Sequence, residues 1–130
     1  MRPKEQVGLF ILRVSLGLFL LLWSLDKLVV PEGTVRIFSA FYHLSISPAL
    51  AYVIGAVEAV LSLLIIAGAW KRYAYAAGLV LHAISTLSTW KQLLSPLGQN
   101  HLFIAAIPVL AAFFLLYLLR EQDTLWAVDR

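Results

Sequence analysis

A chain of 130 residues that is 62% hydrophobic and 13% charged, with mean hydropathy +0.88, is more apolar than a core of this size can hide. Its solvent is therefore lipid, which excludes a soluble enzyme, a nucleic-acid-binding domain and a disordered tail. The net charge of +3 fits basic loops beside anionic headgroups, and the lack of cysteine excludes thiol, disulfide, iron–sulfur and thiolate-zinc chemistry.

A helix that crosses the hydrocarbon needs about 20 mainly apolar residues. Residues 8–29 form the first such stretch. Arg2 and Lys4 before it resemble the basic end of a signal peptide. Arg13 interrupts the run, however, and the run is too long and lacks a small-x-small cleavage site after it, so the span is expected to be retained. Pro31-Glu32-Gly33 stops it. In the loop 30–48, Thr34 could cap a short helix with Val35, Phe38, Phe41 and Tyr42 on one face and Arg36 and His43 off it. Such an amphipathic segment is expected to lie in the interface plane.

Ser47-Pro48 opens a second span at 49–69, and Lys71-Arg72 separates it from a third at 73–93. The turn from Ser95 to Asn100 leads into a fourth at 101–119, where Pro108 removes a backbone hydrogen bond and should kink the helix. Every backbone polar group in lipid must be bonded internally. The expected fold is thus an all-α, polytopic transmembrane four-helix bundle, one domain over 1–130, with a short interfacial segment between helices 1 and 2. Four spans put both termini and the 70–72 turn on one side. That side carries Arg2, Lys4, Lys71, Arg72, Arg120 and Arg130, against Lys27, Arg36 and Lys91 on the other, so both termini are expected in the cytoplasm. Trp70, Trp90 and Trp126 fall near span ends, where indoles favour the headgroup region, whereas Trp23 is deeper and is expected to pack.

Ionisable residues inside the spans carry the functional signal, because a charge near the bilayer centre costs on the order of 3 kcal/mol. Glu58 lies in the middle of the second span and His82 in the middle of the third. Arg13 is roughly 8 Å from the centre of the first at 1.5 Å per residue, a gap its long stem could close toward Glu58. Steps of three and four join Arg13, Gly17, Leu20, Ser24 and Lys27; Ala51, Gly55, Glu58 and Ser62; and Gly78, His82, Ser85, Thr89 and Gln92. These stripes are expected to line the bundle core. Arg13, Glu58, His82, Ser62 and Ser85 are accordingly candidate ligand-binding or proton-handling residues. An Arg13–Glu58 pair flanked by His82 reads equally well as glue that fixes helix register. A second polar group, Asp26, Lys27, Gln92, Asn100 and His101, gathers at the opposite mouth and could close over a headgroup, although Asn100 by itself reads as a helix cap.

No glycine-rich nucleotide motif is present. One mid-membrane histidine without cysteine gives no metal site, and His43, His82 and His101 lie at different depths or in loops, against a haem.

The run Arg13-Val14-Ser15-Leu16-Gly17 with the later Lys27 resembles the opening signature of the DoxX-like family of small four-helix membrane proteins. Pro48, Glu58, Gly68, Lys71 and Arg72 resemble its second signature, in which a proline begins the span, a glutamate sits mid-helix and a glycine precedes a basic turn. The stretch QNHLFIAAIPVLAAFFLLYLL is similar in character to the family's last span, so that the resemblance covers nearly the whole chain. Leu61-Ser62 stands where relatives often carry a glycine, which bears on how closely the helices pack there. The resemblance implies a bacterial or archaeal inner-membrane protein. Relatives include the membrane subunit of a thiosulfate:quinone oxidoreductase, a methylamine-utilisation accessory protein and members of oxidative-stress complexes, so it supplies a fold more firmly than a function.

The expected function is a redox-associated membrane subunit that binds a quinone or lipid-like molecule in its polar interior and docks a partner protein or a second copy. His82 would be donor and proton carrier, Glu58 its acceptor, and Arg13 the charge that keeps Glu58 ionised. Lacking a redox centre of its own, the chain would be at most a subunit of a quinone-linked oxidoreductase, with no catalytic residue. The alternatives are a non-catalytic assembly or chaperone subunit and a small-molecule or lipid carrier.

Overall fold

The computed structural model describes residues 2–129, and these are all-α. Helix α1 (Pro3–Val29) begins with a proline, whose missing N–H is one that no helix start can bond anyway. Its 27 residues span about 40 Å, and Pro31 forbids its continuation. Helix α2 (Pro31–Ile37) runs into one π-helical turn, Phe38–Tyr42, which His43 ends in the left-handed region at φ 56°. Ser47 caps α3 (Pro48–Ala67), its hydroxyl oxygen accepting from the Leu50 N–H at 3.2 Å, and Gly68 ends it at φ 66°.

Helix α4 covers Lys71–Ser88 rather than 73–93. The Ser88 and Thr89 hydroxyls donate back to the carbonyls of Ser85 and Thr86, at 2.6 and 2.8 Å, and such back-bonding competes with helix propagation. Beyond the break lies the short α5 (Trp90–Leu94). The last apolar run opens as a 3₁₀ stretch, Gly98–Ala105, and becomes α-helical only in α6 (Ala106–Leu118). Pro108 therefore falls in the first turn of an α-helix, where a missing N–H costs least, and not in the middle of one as expected.

Among the described residues, three helical stretches are long and apolar enough to cross a membrane: Pro3–Val29, Pro48–Ala67 and Gly98–Leu118. Helix α4, which holds the expected third span, is less apolar, since it carries Lys71, Arg72, His82 and several hydroxyl groups. The most extensive packing is of α1 on α3 and of α4 on α6. Leu9, Leu16 and Leu20 of α1 meet Ile65, Ala74, Tyr75, Phe113 and Leu116 in one core. Much of the apolar surface instead faces outward, as at Leu22, Val57, Leu63 and Leu87, which is what a lipid solvent requires.

The expected inward stripes hold on α1 and α3. Arg13, Gly17, Leu20, Ser24, Ala51, Gly55 and Ser62 are buried, with Lys27 and Glu58 half-buried. On α4 the stripe runs Tyr75, Gly78, His82 and Thr86, and Ser85 is exposed. From His82 a step of four, not three, keeps pace with the face that packs on α6.

Candidate functional site

The polar interior is divided between the two ends of the bundle. At the end where α1 begins, Arg13 is fully buried. Its Nη1 donates to Asp123 Oδ1 at 2.7 Å, its Nη2 to the Leu125 carbonyl at 2.8 Å and its Nε to the Ile66 carbonyl at 3.1 Å. The Tyr75 hydroxyl donates to the other Asp123 oxygen at 2.6 Å. Lys71 Nζ donates to the carbonyls of Arg120, at 3.3 Å, and of Asp123.

Asp123 belongs to the segment after α6, which folds back over this end. Val128 and Asp129 donate their N–H groups to the carbonyls of Ala67 and Gly68 at 2.9 and 3.0 Å. Thr124 donates twice to Gln6 Oε1, and Trp126 meets Phe10 edge-on with ring centroids 5.0 Å apart. A Cβ on Gly68 would lie 2.7 Å from that of Ala127, so the tail seats only because this helix ends in glycine.

Toward the other end Lys27 Nζ lies 3.0 Å from Glu58 Oε1 and 3.5 Å from Oε2, with both side chains 14% exposed. The Ser62 hydroxyl donates to the Glu58 carbonyl at 2.7 Å. The expected pairing of Arg13 with Glu58 is thus replaced by Arg13 with Asp123 and Glu58 with Lys27. The cause is the antiparallel register of α1 and α3. Gly17 faces Ser62 and Ile66, and Gly55 faces Ser24 and Lys27. Arg13 therefore sits at the level of Ile66, about 12 Å along α3 from Glu58.

His82 stands apart from both pairs. Its Nε2 lies 2.9 Å from the Ala106 carbonyl, an acceptor only, so this nitrogen carries the proton. The ring stacks on Phe113, centroids 5.5 Å apart, and meets Phe19 edge-on at 5.6 Å. His82 so ties α4 to the point where the 3₁₀ stretch turns into α6.

The expected mouth group does not assemble. Lys27 is held by Glu58, Asp26 and His101 are exposed, and Gln92 is half-buried. Among the described residues no hydrogen bond or ion pair joins any two of the five. The Asn100 amide donates to the Ser95 carbonyl at 3.2 Å, so it ties the loop and caps no helix. Phe19, Leu22, Trp23 and Asp26 instead line an open groove of about 350 Å³ on α1. Trp23, expected to pack, is 48% exposed there.

Every buried side-chain nitrogen and oxygen among the described residues has a hydrogen-bond partner. Sequence reasoning missed Asp123, Tyr75 and Lys71. The signal was present, since a buried Arg13 requires a carboxylate, and Glu5, Glu121, Asp123 and Asp129 all lie near its end of the bundle.

A family model described as DoxX matches residues 8–91, about two thirds of the chain. The chain belongs to the DoxX family. Its apolar helices and this membership make it a membrane protein. The DoxX match takes in Lys27, Glu58 and His82 and stops before α6 and Asp123. No curated protein and no solved structure matches the chain.

Proposed function

We propose that this DoxX-family protein is a four-helix integral subunit of a bacterial or archaeal inner membrane, a scaffold on which partner proteins assemble rather than a catalyst. The observation that carries this reading is the use made of Arg13. All three nitrogens of its buried guanidinium donate to acceptors of its own chain. Glu58 and His82 are likewise engaged within the chain. One attested use of such buried polar contacts is to specify a single packing arrangement. Native mass spectrometry of the protein extracted from its own membrane in mild detergent tests the reading. A stoichiometric second polypeptide is expected. A lone chain that carries a stoichiometric small molecule would overturn the scaffold role.

In this proposal α4 is the third of four crossings, after α1 and α3 and before α6; α2 and its π-helical turn lie in the interface plane, and both termini are cytoplasmic. The basic residues support that orientation, with Arg2, Lys4, Lys71, Arg72 and Arg120 at the end where α1 begins; Arg130 lies outside the described residues. Because the chain has no cysteine, single substitutions report topology cleanly. Lys91→Cys is expected to react with an impermeant maleimide on intact cells, and Lys4→Cys and Arg72→Cys only after permeabilisation. Labelling of all three from the same side would refute the topology.

A second reading is favoured by one observation, the groove lined by Phe19, Leu22, Trp23 and Asp26. It is open along the outer face of α1, and its Phe19 wall touches His82. Aromatic walls with one carboxylate suit the flat ring of a quinone or a lipid-like amphiphile entering from the membrane. Redox association would then come through a partner that exchanges electrons with that molecule. An adduct of quinone mass, lost on Trp23→Ala and Asp26→Asn, would establish this reading over the first.

A further inference from the structure

We propose that the groove at the turn between α3 and α4 binds the phosphodiester headgroup of an anionic membrane phospholipid. The groove has a volume of about 450 Å³ and gathers three cations, Lys71, Arg72 and Arg120, with two carboxylates, Glu121 and Asp129. Its formal charge is therefore +1, which a single phosphodiester monoanion balances. The neighbouring Asp123 adds nothing to that sum, because Arg13 neutralises it within the core.

The charges are not equally free. The Asp129 carboxylate accepts the Trp70 backbone N–H, and Lys71 Nζ points inward to the carbonyls of Arg120 and Asp123. Arg120 donates one N–H to the Tyr117 carbonyl at 3.0 Å and lies over the Tyr117 ring at 4.4 Å, which leaves the rest of its planar fork for an anion. Arg72 has no hydrogen-bond acceptor among the described residues and lies only over the Tyr73 ring, at 5.8 Å. Two guanidinium groups with unused donors on one groove match the oxygens of a phosphate. The aromatic walls set the depth. Trp70 and Tyr73 are 68% and 70% exposed, and amphipathic rings at a helix end belong at headgroup level. The anion that reaches this groove is thus one already carried in the bilayer surface. The inference goes beyond the scaffold reading and is independent of which protein partner the chain holds.

The test uses the full chain in nanodiscs of equimolar phosphatidylglycerol and phosphatidylcholine, with retained lipid counted by native mass spectrometry. The wild type is expected to retain one phosphatidylglycerol in preference to phosphatidylcholine. Arg72→Gln should lower that preference about fivefold, and Arg72→Gln/Arg120→Gln about 25-fold. Arg72 has no hydrogen bond to lose, so its variant should melt with the wild type and separate binding from folding. Arg2→Gln/Lys4→Gln removes the same charge from the same end of the bundle outside the groove, and should leave the preference intact. Equal loss in the two double variants would reduce the effect to diffuse surface attraction and overturn the site. Displacement of the lipid by millimolar inorganic phosphate would overturn the lipid assignment in favour of a soluble phosphate.

Discussion

Replacing Asp123 with alanine is expected to cost about 3–5 kcal/mol and to leave little folded protein in detergent. The substitution strips Arg13 Nη1 and the Tyr75 hydroxyl of their acceptors at one stroke, and both side chains are fully buried. An uncompensated guanidinium in the core is the larger part of that loss, because it can neither ionise away its charge nor reach water without unpacking α1 from α3. Arg13→Ala should be nearly as damaging, since it leaves the Asp123 carboxylate behind. The double replacement Arg13→Met/Asp123→Leu removes both charges and fills similar volume, so it should recover much of the stability. Tyr75→Phe keeps the ion pair and deletes one hydrogen bond to the buried carboxylate, and about 1.5–3 kcal/mol is expected. Thermal unfolding in one detergent, followed by circular dichroism across this set, checks the ranking. An Asp123→Ala variant that melts with the wild type would show that the tail does not lock the bundle.

That lock was also the least legible part of the sequence. The helices were readable because apolar runs, prolines and Gly68 mark their bodies and ends, and the family was readable from Arg13, Gly17, Glu58 and the basic turn. The inward stripes of α1 and α3 followed from steps of three and four, which fix a face from local spacing alone. What spacing does not fix is the height at which two antiparallel helices meet. An intramembrane arginine and glutamate invite pairing, but the register of α1 on α3 puts Lys27 opposite Glu58 and lifts Arg13 to Ile66. The partner of Arg13 lies 110 residues further on, in a polar segment whose composition looks like any solvated tail. Ser85 and Thr86 show the same limit on a smaller scale. Both fit a helical step from His82, and only the packing of α4 on α6 chooses between them.

The register itself rests on two glycines. Gly17→Ala is expected to cost about 1–3 kcal/mol through overpacking, although alanine is the better helix former. A Cβ at Gly17 would lie 2.4 Å from Ile66 Cγ1 and 3.1 Å from both the Ile66 nitrogen and the Ser62 carbonyl oxygen. A side-chain rotation can relieve the first contact, but the other two are backbone, so α1 and α3 must move apart. At Gly55 a Cβ would meet Lys27 Cβ at 2.9 Å and the Ser24 carbonyl oxygen at 3.0 Å. Gly55→Ala should therefore loosen the Lys27–Glu58 pair as well as the helix contact. Gly8 provides the control, since nothing lies within 4 Å of a Cβ placed there and Gly8→Ala should cause no loss. All three substitutions add the same methyl group to a helix long and apolar enough to cross a membrane, so propensity and hydrophobicity change alike. If Gly17→Ala and Gly8→Ala melt at the same temperature, close approach of the backbones is not what holds α1 on α3. If they differ as expected, the small residues at Gly17 and Gly55 determine which charge faces Glu58. The separation of the polar interior into two pairs is then a consequence of helix contact distance rather than of the charges themselves.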